Sequence, residues 1–248
     1  MLAKVFRLLS FFYCSTFAHD ALSDELVLGF IEKYPPYSYQ ENGFAAGSHI
    51  EKIRGISTQA GVSIIAEFLP LQQALKKAED GLLDGVVGAA YREDRAQYLD
   101  YIKFPVFECV TVSLHTLEHS MSLNNMMNQR AVLAAKIGFD LGRKLNDDLV
   151  SKGIELYRFS DINPVLRLMR AGRVQGIIHA DKEVDYFAQS LGVTLYKSEE
   201  ILNQEPTYIA FSKKISEHKK AHVEAITKAM QFGANNTSSC TVIAQNVN

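Results

Sequence analysis

Clustered positive charge is the first thing this sequence lacks. Its 26 lysines and arginines against 28 aspartates and glutamates give a formal net charge of -2. They form no basic block and no basic stripe interleaved with aromatics. Nucleic-acid binding is therefore disfavoured, because gripping phosphates needs clustered cations. Long apolar runs are also missing: beyond the amino terminus no segment approaches the roughly 18 apolar residues of a membrane helix. Neither phosphate-cradling glycine pattern, GxGxxG or GxxxxGK[ST], occurs. Low-complexity tracts are absent and cysteine is scarce, with 3 in 248 residues. What remains is an ordinary globular composition, 47% hydrophobic and 22% charged, long enough for one large core or two compact lobes.

The amino terminus stands apart. Lys4 and Arg7 precede LLSFFYCSTFA, an apolar run too short to span a bilayer, and Thr16 and Ala18 place small residues before a cut at His19. This is the layout of a secretory signal peptide over residues 1–18. Loss of Lys4 and Arg7 with it takes the net charge to about -4. Cys109 and Cys240 are then the remaining cysteines. In an oxidising compartment they could pair or stay as two free thiols, and spacing alone does not choose.

Strand-like and helix-like stretches alternate from residue 26. LVLGFI (26–31) has the apolar continuity of a buried strand, and the turn-rich EKYPPYSYQENG follows. HIEKIRGISTQAG (49–61) carries Ile50, Ile53 and Ile56 on one helix face, with Gly61 as its stop. VSIIAEFLP (62–70) predicts a strand, LQQALKKAEDG (71–81) a helix and DGVVGAA (84–90) a buried strand. FPVFECVTVSLH (104–115) interrupts the pattern as a long extended segment, after which it restarts. Strands are predicted at 132–138, 154–159, 174–180, 193–198 and 207–213. Helices are predicted at 140–153, 160–172, 181–192 and 216–233, the second capped by Ser160 or Asp161. Two α/β units joined by an extended crossover imply two lobes with a cleft, faced by the loops at the carboxyl ends of parallel strands.

Four stretches carry a resemblance: LVLGFIEKYPPYSYQENG, GLLDGVVGAAYREDRAQYLDYIKFPVF, KIGFDLGRKL and LMRAGRVQGIIHADKEVDYFAQ. In order and spacing they resemble the family 3 extracellular solute-binding proteins, the polar amino-acid type of periplasmic binding protein, over roughly residues 24–235. The resemblance implies an α/β, two-lobe fold of type II, each lobe a mostly parallel sheet flanked by helices, with two crossover strands. On this reading lobe 1 comprises residues 19–110 and 206–248, and lobe 2 residues 111–205. It also implies a monomer in the periplasm that closes on a small ligand, an amino acid or small organic acid, and delivers it to an ABC permease or a membrane sensor. No cofactor, metal or nucleic acid is expected.

The same resemblance assigns site residues. Tyr37, after the Tyr34-Pro35-Pro36 turn, is expected to line the ligand site, with Tyr34 and Tyr39 nearby; the prolines stiffen that loop. Ala89, Ala90 and Tyr91 lie at the end of the third strand, and Arg95 matches the carboxylate-binding arginine. A planar guanidinium suits that task because it grips a carboxylate with two parallel, charge-assisted hydrogen bonds. A helix start beside it is expected to offer free N–H groups. Asp181 falls where an acid holds the ligand ammonium, although it also reads as a helix N-cap. Arg92 and Arg143 stand where neutral hydroxyl residues are usual, and Gly47-Ser48-His49 departs from the family pattern. If both arginines face inward, the ligand is more anionic than a plain amino acid.

Other signals carry less. His115-Thr116-Leu117-Glu118-His119 fits the H-x-x-E-H pattern of some zinc peptidases, but it ends an extended segment rather than lying on a helix. His218 and His222 sit on a solvated helix face. Catalysis is not expected. The alternative from another class is a periplasmic enzyme on the same fold, such as a cyclohexadienyl dehydratase, for which His179 is the acid–base candidate.

Overall fold

A computed structural model describes residues 24–104, 107–119, 121–137 and 141–233. The predicted signal peptide, Cys240 and the Arg143 side chain lie outside the described residues.

The first half opens with β1 (Leu26–Ile31), whose Leu26, Leu28 and Phe30 are buried. A hairpin of β2 (Tyr39–Glu41) and β3 (Phe44–Ala46) follows. Its turn is Asn42-Gly43, both at positive φ, the dipeptide that suits a tight hairpin. Helix α1 (Ser48–Ala60) buries Ile50, Ile53 and Ile56 and stops at Gly61, whose φ of 66° is left-handed. Strand β4 (Ile64–Leu69), helix α2 (Leu71–Asp80), strand β5 (Gly85–Ala90) and the short strand β6 (Leu99–Tyr101) complete this half.

The second half contains β7 (Val110–Thr116), α3 (Leu123–Asn128), β8 (Leu133–Lys136), α4 (Arg143–Ser151) and β9 (Leu156–Phe159). Then come α5 (Ile162–Arg170), β10 (Gly176–Ala180), α6 (Asp181–Ser190) and the long β11 (Tyr196–Glu205). After the single residue Pro206, β12 (Thr207–Ser212) and α7 (Lys220–Gly233) end the described chain.

Pairing divides these strands into two five-stranded sheets. The first has the order β4-β1-β5-β12-β6 and the second β11-β7-β10-β8-β9. In each, two neighbouring pairs are parallel and two antiparallel, so a single strand, β12 in the first and β7 in the second, runs against the other four. The parallel trios are the predicted β-α-β units. The antiparallel pairs arise where the chain crosses between lobes: β12 returns to the first sheet beside β5, and β7 and β11 enter and leave the second. Separate apolar clusters fill the faces of each sheet. The loop Tyr34–Tyr37 belongs to the first half by sequence, yet both tyrosines pack into the cluster of the second sheet. A second contact between the halves joins the Tyr39 and Tyr186 rings, 5.9 Å apart.

His49, on α1, occupies the junction. It is 1% exposed, stacks against Phe107 at 4.2 Å and Tyr37 at 5.2 Å, and among the described residues neither ring nitrogen has a hydrogen-bond partner. Burial lowers its pKa from 6.5 to about 3. The unfolded chain therefore takes up this proton near pH 6.5, while the folded chain resists until far lower pH. The stabilisation is complete above pH 6.5 and declines as pH falls toward 3. Between pH 7 and pH 5 wild-type protein should lose about 2 kcal/mol more stability than His49→Leu. Urea unfolding at the two pH values measures it, and parallel losses in both proteins would remove the assignment.

Candidate functional site

The carboxyl ends of the parallel strands converge on one cavity of about 560 Å³, within the range of small-molecule sites. Ile31 and Glu32 reach it from β1, Pro70 and Leu71 from beyond β4, and Gly88 and Ala90 from β5. Lys136 enters from the end of β8 and Ser160 to Asn163 from the start of α5. That helix is capped by Asp161, whose Oδ1 accepts from the Asn163 backbone N–H at 2.9 Å. Asp161, not Ser160, is thus the cap.

The segment after β5 differs from its expected form. It makes one 3-10 turn, Arg95–Gln97, rather than the start of an α-helix, because the chain must re-enter the sheet at Leu99. No run of free helical N–H groups lies there for an anion. The arginines themselves are what the segment presents.

Both line the cavity, but they differ in their partners. Arg92 grips Glu205 with two parallel bonds, Nη1 to Oε2 at 2.8 Å and Nη2 to Oε1 at 3.1 Å. The Arg95 Nη1 donates to the Ala90 carbonyl at 3.2 Å and, among the described residues, the side chain has no carboxylate partner. Tyr101 donates its hydroxyl to the same carbonyl at 3.1 Å. The excess positive charge expected from Arg92 is therefore neutralised by Glu205.

The opposite wall is a buried ion-pair network. Glu183 on α6 lies 2.7 Å from Lys136 Nζ through one oxygen and 2.5 Å from His179 Nε2 through the other. Burial alone would raise its pKa, but His179 and Lys136 hold the carboxyl below the usual range. Lys136 Nζ also sits 5.3 Å from the centre of the Tyr34 ring, a cation–π geometry.

Of the residues expected at the site, Arg95 and Ala90 line the cavity, whereas Tyr37, Ala89, Tyr91 and Asp181 are not on its wall. Tyr34 takes the cavity position, and Tyr37 packs behind it with ring centres 4.7 Å apart. Ala89, within β5, is fully buried, and Tyr91 is exposed with its ring edge-on to Tyr101. Asp181 is neither a helix cap nor a cavity acid. Ala180 is the N-cap, with no side-chain cap bond, and Asp181 turns to His115 Nε2 at 3.2 Å and Lys197 Nζ at 3.0 Å. Burial would raise its pKa, but the bonds from His115 and Lys197 hold it lowered. Arg143 begins α4, with its side chain undescribed. Glu183, Lys136, Glu205 and Glu32 escaped sequence reasoning. Only Glu183, two residues beyond Asp181, lay close to a residue under suspicion.

The H-x-x-E-H histidines point elsewhere: His115 to Asp181, and His119 to the Tyr196 ring at 3.6 Å. Among the described residues no group of three His, Cys, Asp or Glu could hold a metal. Cys109 is disulfide-bonded.

Residues 26–237 match the bacterial extracellular solute-binding proteins, family 3. The chain belongs to this family. No curated protein sequence matches it. Solved structures share the solute-binding fold of two lobes around a cleft. A histidine kinase sensor domain with similarity to periplasmic binding proteins superposes with a TM-score of 0.67 at 18% identity, covering 84% of this chain and 89% of that one. An ancestral arginine-binding protein bound to arginine gives 0.67 at 18% identity, covering 86% and 93%. A putative L-cystine ABC transporter from Listeria monocytogenes gives 0.67 at 16% identity, covering 84% and 89%. The two five-stranded sheets of this family 3 protein agree with that architecture.

Proposed function

We propose that this protein is a periplasmic receptor that captures a free amino acid in its interlobe cleft and presents it to a separate membrane partner, an ABC permease or a sensor. The observation that carries the reading is Arg95, the cavity arginine without a carboxylate partner among the described residues. A ligand carboxylate is the natural complement of that guanidinium. The four basic residues of the wall, Lys33, Arg92, Arg95 and Lys136, face four acids, Glu32, Asp161, Glu183 and Glu205. A formally neutral wall favours a zwitterion over a dianion, and Glu32, also on the wall, is an acid of the kind that complements an amine. Tyr34, Leu71 and Phe187 supply apolar surface. The arginine-binding and cystine-transport neighbours support an amino acid, and the kinase sensor domain keeps a sensing partner in view.

Binding without turnover is part of the proposal. His179, the acid–base candidate, is fully buried and hydrogen-bonded to Glu183, and is not on the cavity wall. Calorimetric and thermal-shift titration with L-arginine, L-glutamine, L-glutamate and succinate tests it. An amino acid should bind and raise the melting temperature by mass action; binding of succinate alone would overturn the ligand class.

A further inference from the structure

Thr207 is the first residue of β12, 4% exposed, and on the wall of the cavity. Among the described residues its Oγ1 has no hydrogen-bond partner. Comparable buried hydroxyls do find one: Ser38 donates to the Ile31 carbonyl, Thr116 to that of Glu118 and Ser212 to that of Ala78. The Ser113 hydroxyl is also without a geometric hydrogen-bond partner among the described residues, but it faces Asp181 and is not on the cavity wall. A buried hydroxyl left unpaired is costly and calls for a partner.

The surroundings of Thr207 indicate which partner. In the sheet it stands directly opposite Ala90. The Ala90 carbonyl is the acceptor for Arg95 Nη1, so the guanidinium and the orphan hydroxyl flank the same residue. A guanidinium has five N–H donors, and that bond occupies one of them. A carboxylate has about four lone-pair sites and can take a fork from arginine and still accept a hydroxyl proton.

We propose that Thr207 is a ligand-contacting residue whose hydroxyl donates to the carboxylate held by Arg95. This rests on the amino-acid reading above. The hydroxyl, unpaired among the described residues, becomes satisfied on binding, so the ligand gains from a contact that the free protein lacks. Such a donor adds both affinity and orientation.

Two variants test it, titrated with L-arginine, L-glutamine and L-glutamate. Thr207→Val keeps the shape and removes the hydroxyl, whereas Thr207→Ser keeps the hydroxyl. Thr207→Val should weaken the best binder of the three about tenfold, with the ligand-free melting temperature unchanged or raised. Thr207→Ser should stay within about threefold of wild type. Wild-type affinity in Thr207→Val, or an equal loss in both variants, overturns the assignment and leaves the amino-acid reading standing. If wild-type protein binds none of the three, both fall together.

Discussion

Arg95→Ala is expected to weaken ligand binding by at least about 100-fold while leaving the ligand-free protein as stable as wild type. The first half follows from charge. A carboxylate buried in the cleft without its guanidinium keeps its desolvation cost and loses its charge-assisted bonds, a combined effect of about 2–5 kcal/mol. The second half follows from the partners of Arg95. Its one recorded hydrogen bond goes to the Ala90 carbonyl, and Tyr101 also donates there, so no backbone acceptor is orphaned. Arg95→Lys should fall between, because a lysine keeps the charge but cannot form the planar fork. Titration with the same amino acids, beside thermal melts without ligand, separates the two effects. Undiminished affinity in Arg95→Ala would falsify Arg95 as the anchor.

Gly88→Ala should be the most damaging single methyl in the cleft. Gly88 has a φ of 79°, and a Cβ placed on it would lie 2.8 Å from two atoms of the His49 ring. The backbone penalty for a left-handed alanine is about 1–2 kcal/mol. The ring cannot retreat, because Tyr37 and Phe107 pack against it. Overpacking of this kind adds about 1–3 kcal/mol. A total of roughly 2–5 kcal/mol lowers the melting temperature by about 4–20 °C for a chain of this size. Adding His49→Ala removes the obstructing ring but not the φ cost. The double variant should therefore be less destabilised than the sum of the singles by at least about 1 kcal/mol. Simple additivity would mean that the imidazole is not what the new methyl meets.

Local patterns made much of this fold readable. Ile50, Ile53 and Ile56 at helical spacing before a glycine foretold α1 and its left-handed stop. The place of Arg95 on the cavity wall was readable because it depends on one strand and the turn that follows. The hairpin of β2 and β3 was hidden inside a run of turn residues, and β6 is too short for any period to emerge. Asp181 and Glu183 illustrate a finer limit. Two residues along a helix is a rotation of about 200°, so a small error in where α6 begins selects the acid on the wrong face. Lys136 meets Glu183, Glu205 meets Arg92 and Thr207 stands opposite Ala90 only through the packing of distant segments, which no single stretch records. The Arg92–Glu205 fork is the clearest case: in sequence Arg92 was a surplus cation, and in the fold it is a neutral pair.

The sheet order also fixes when the site can come into being. In the first sheet β6 has β12 as its neighbour, while β5 and β6 are not adjacent. A chain synthesised from its amino terminus therefore carries Arg92 and Arg95 on a segment with one end unanchored. That end is secured only when the whole second lobe has followed and β12 slots between β5 and β6. The strand that completes the first lobe also brings Thr207 and trails Glu205. The corner that carries Arg92 and Arg95 is thus the last part of the cleft to be assembled, and a chain cut short before Thr207 lacks it while retaining both parallel trios.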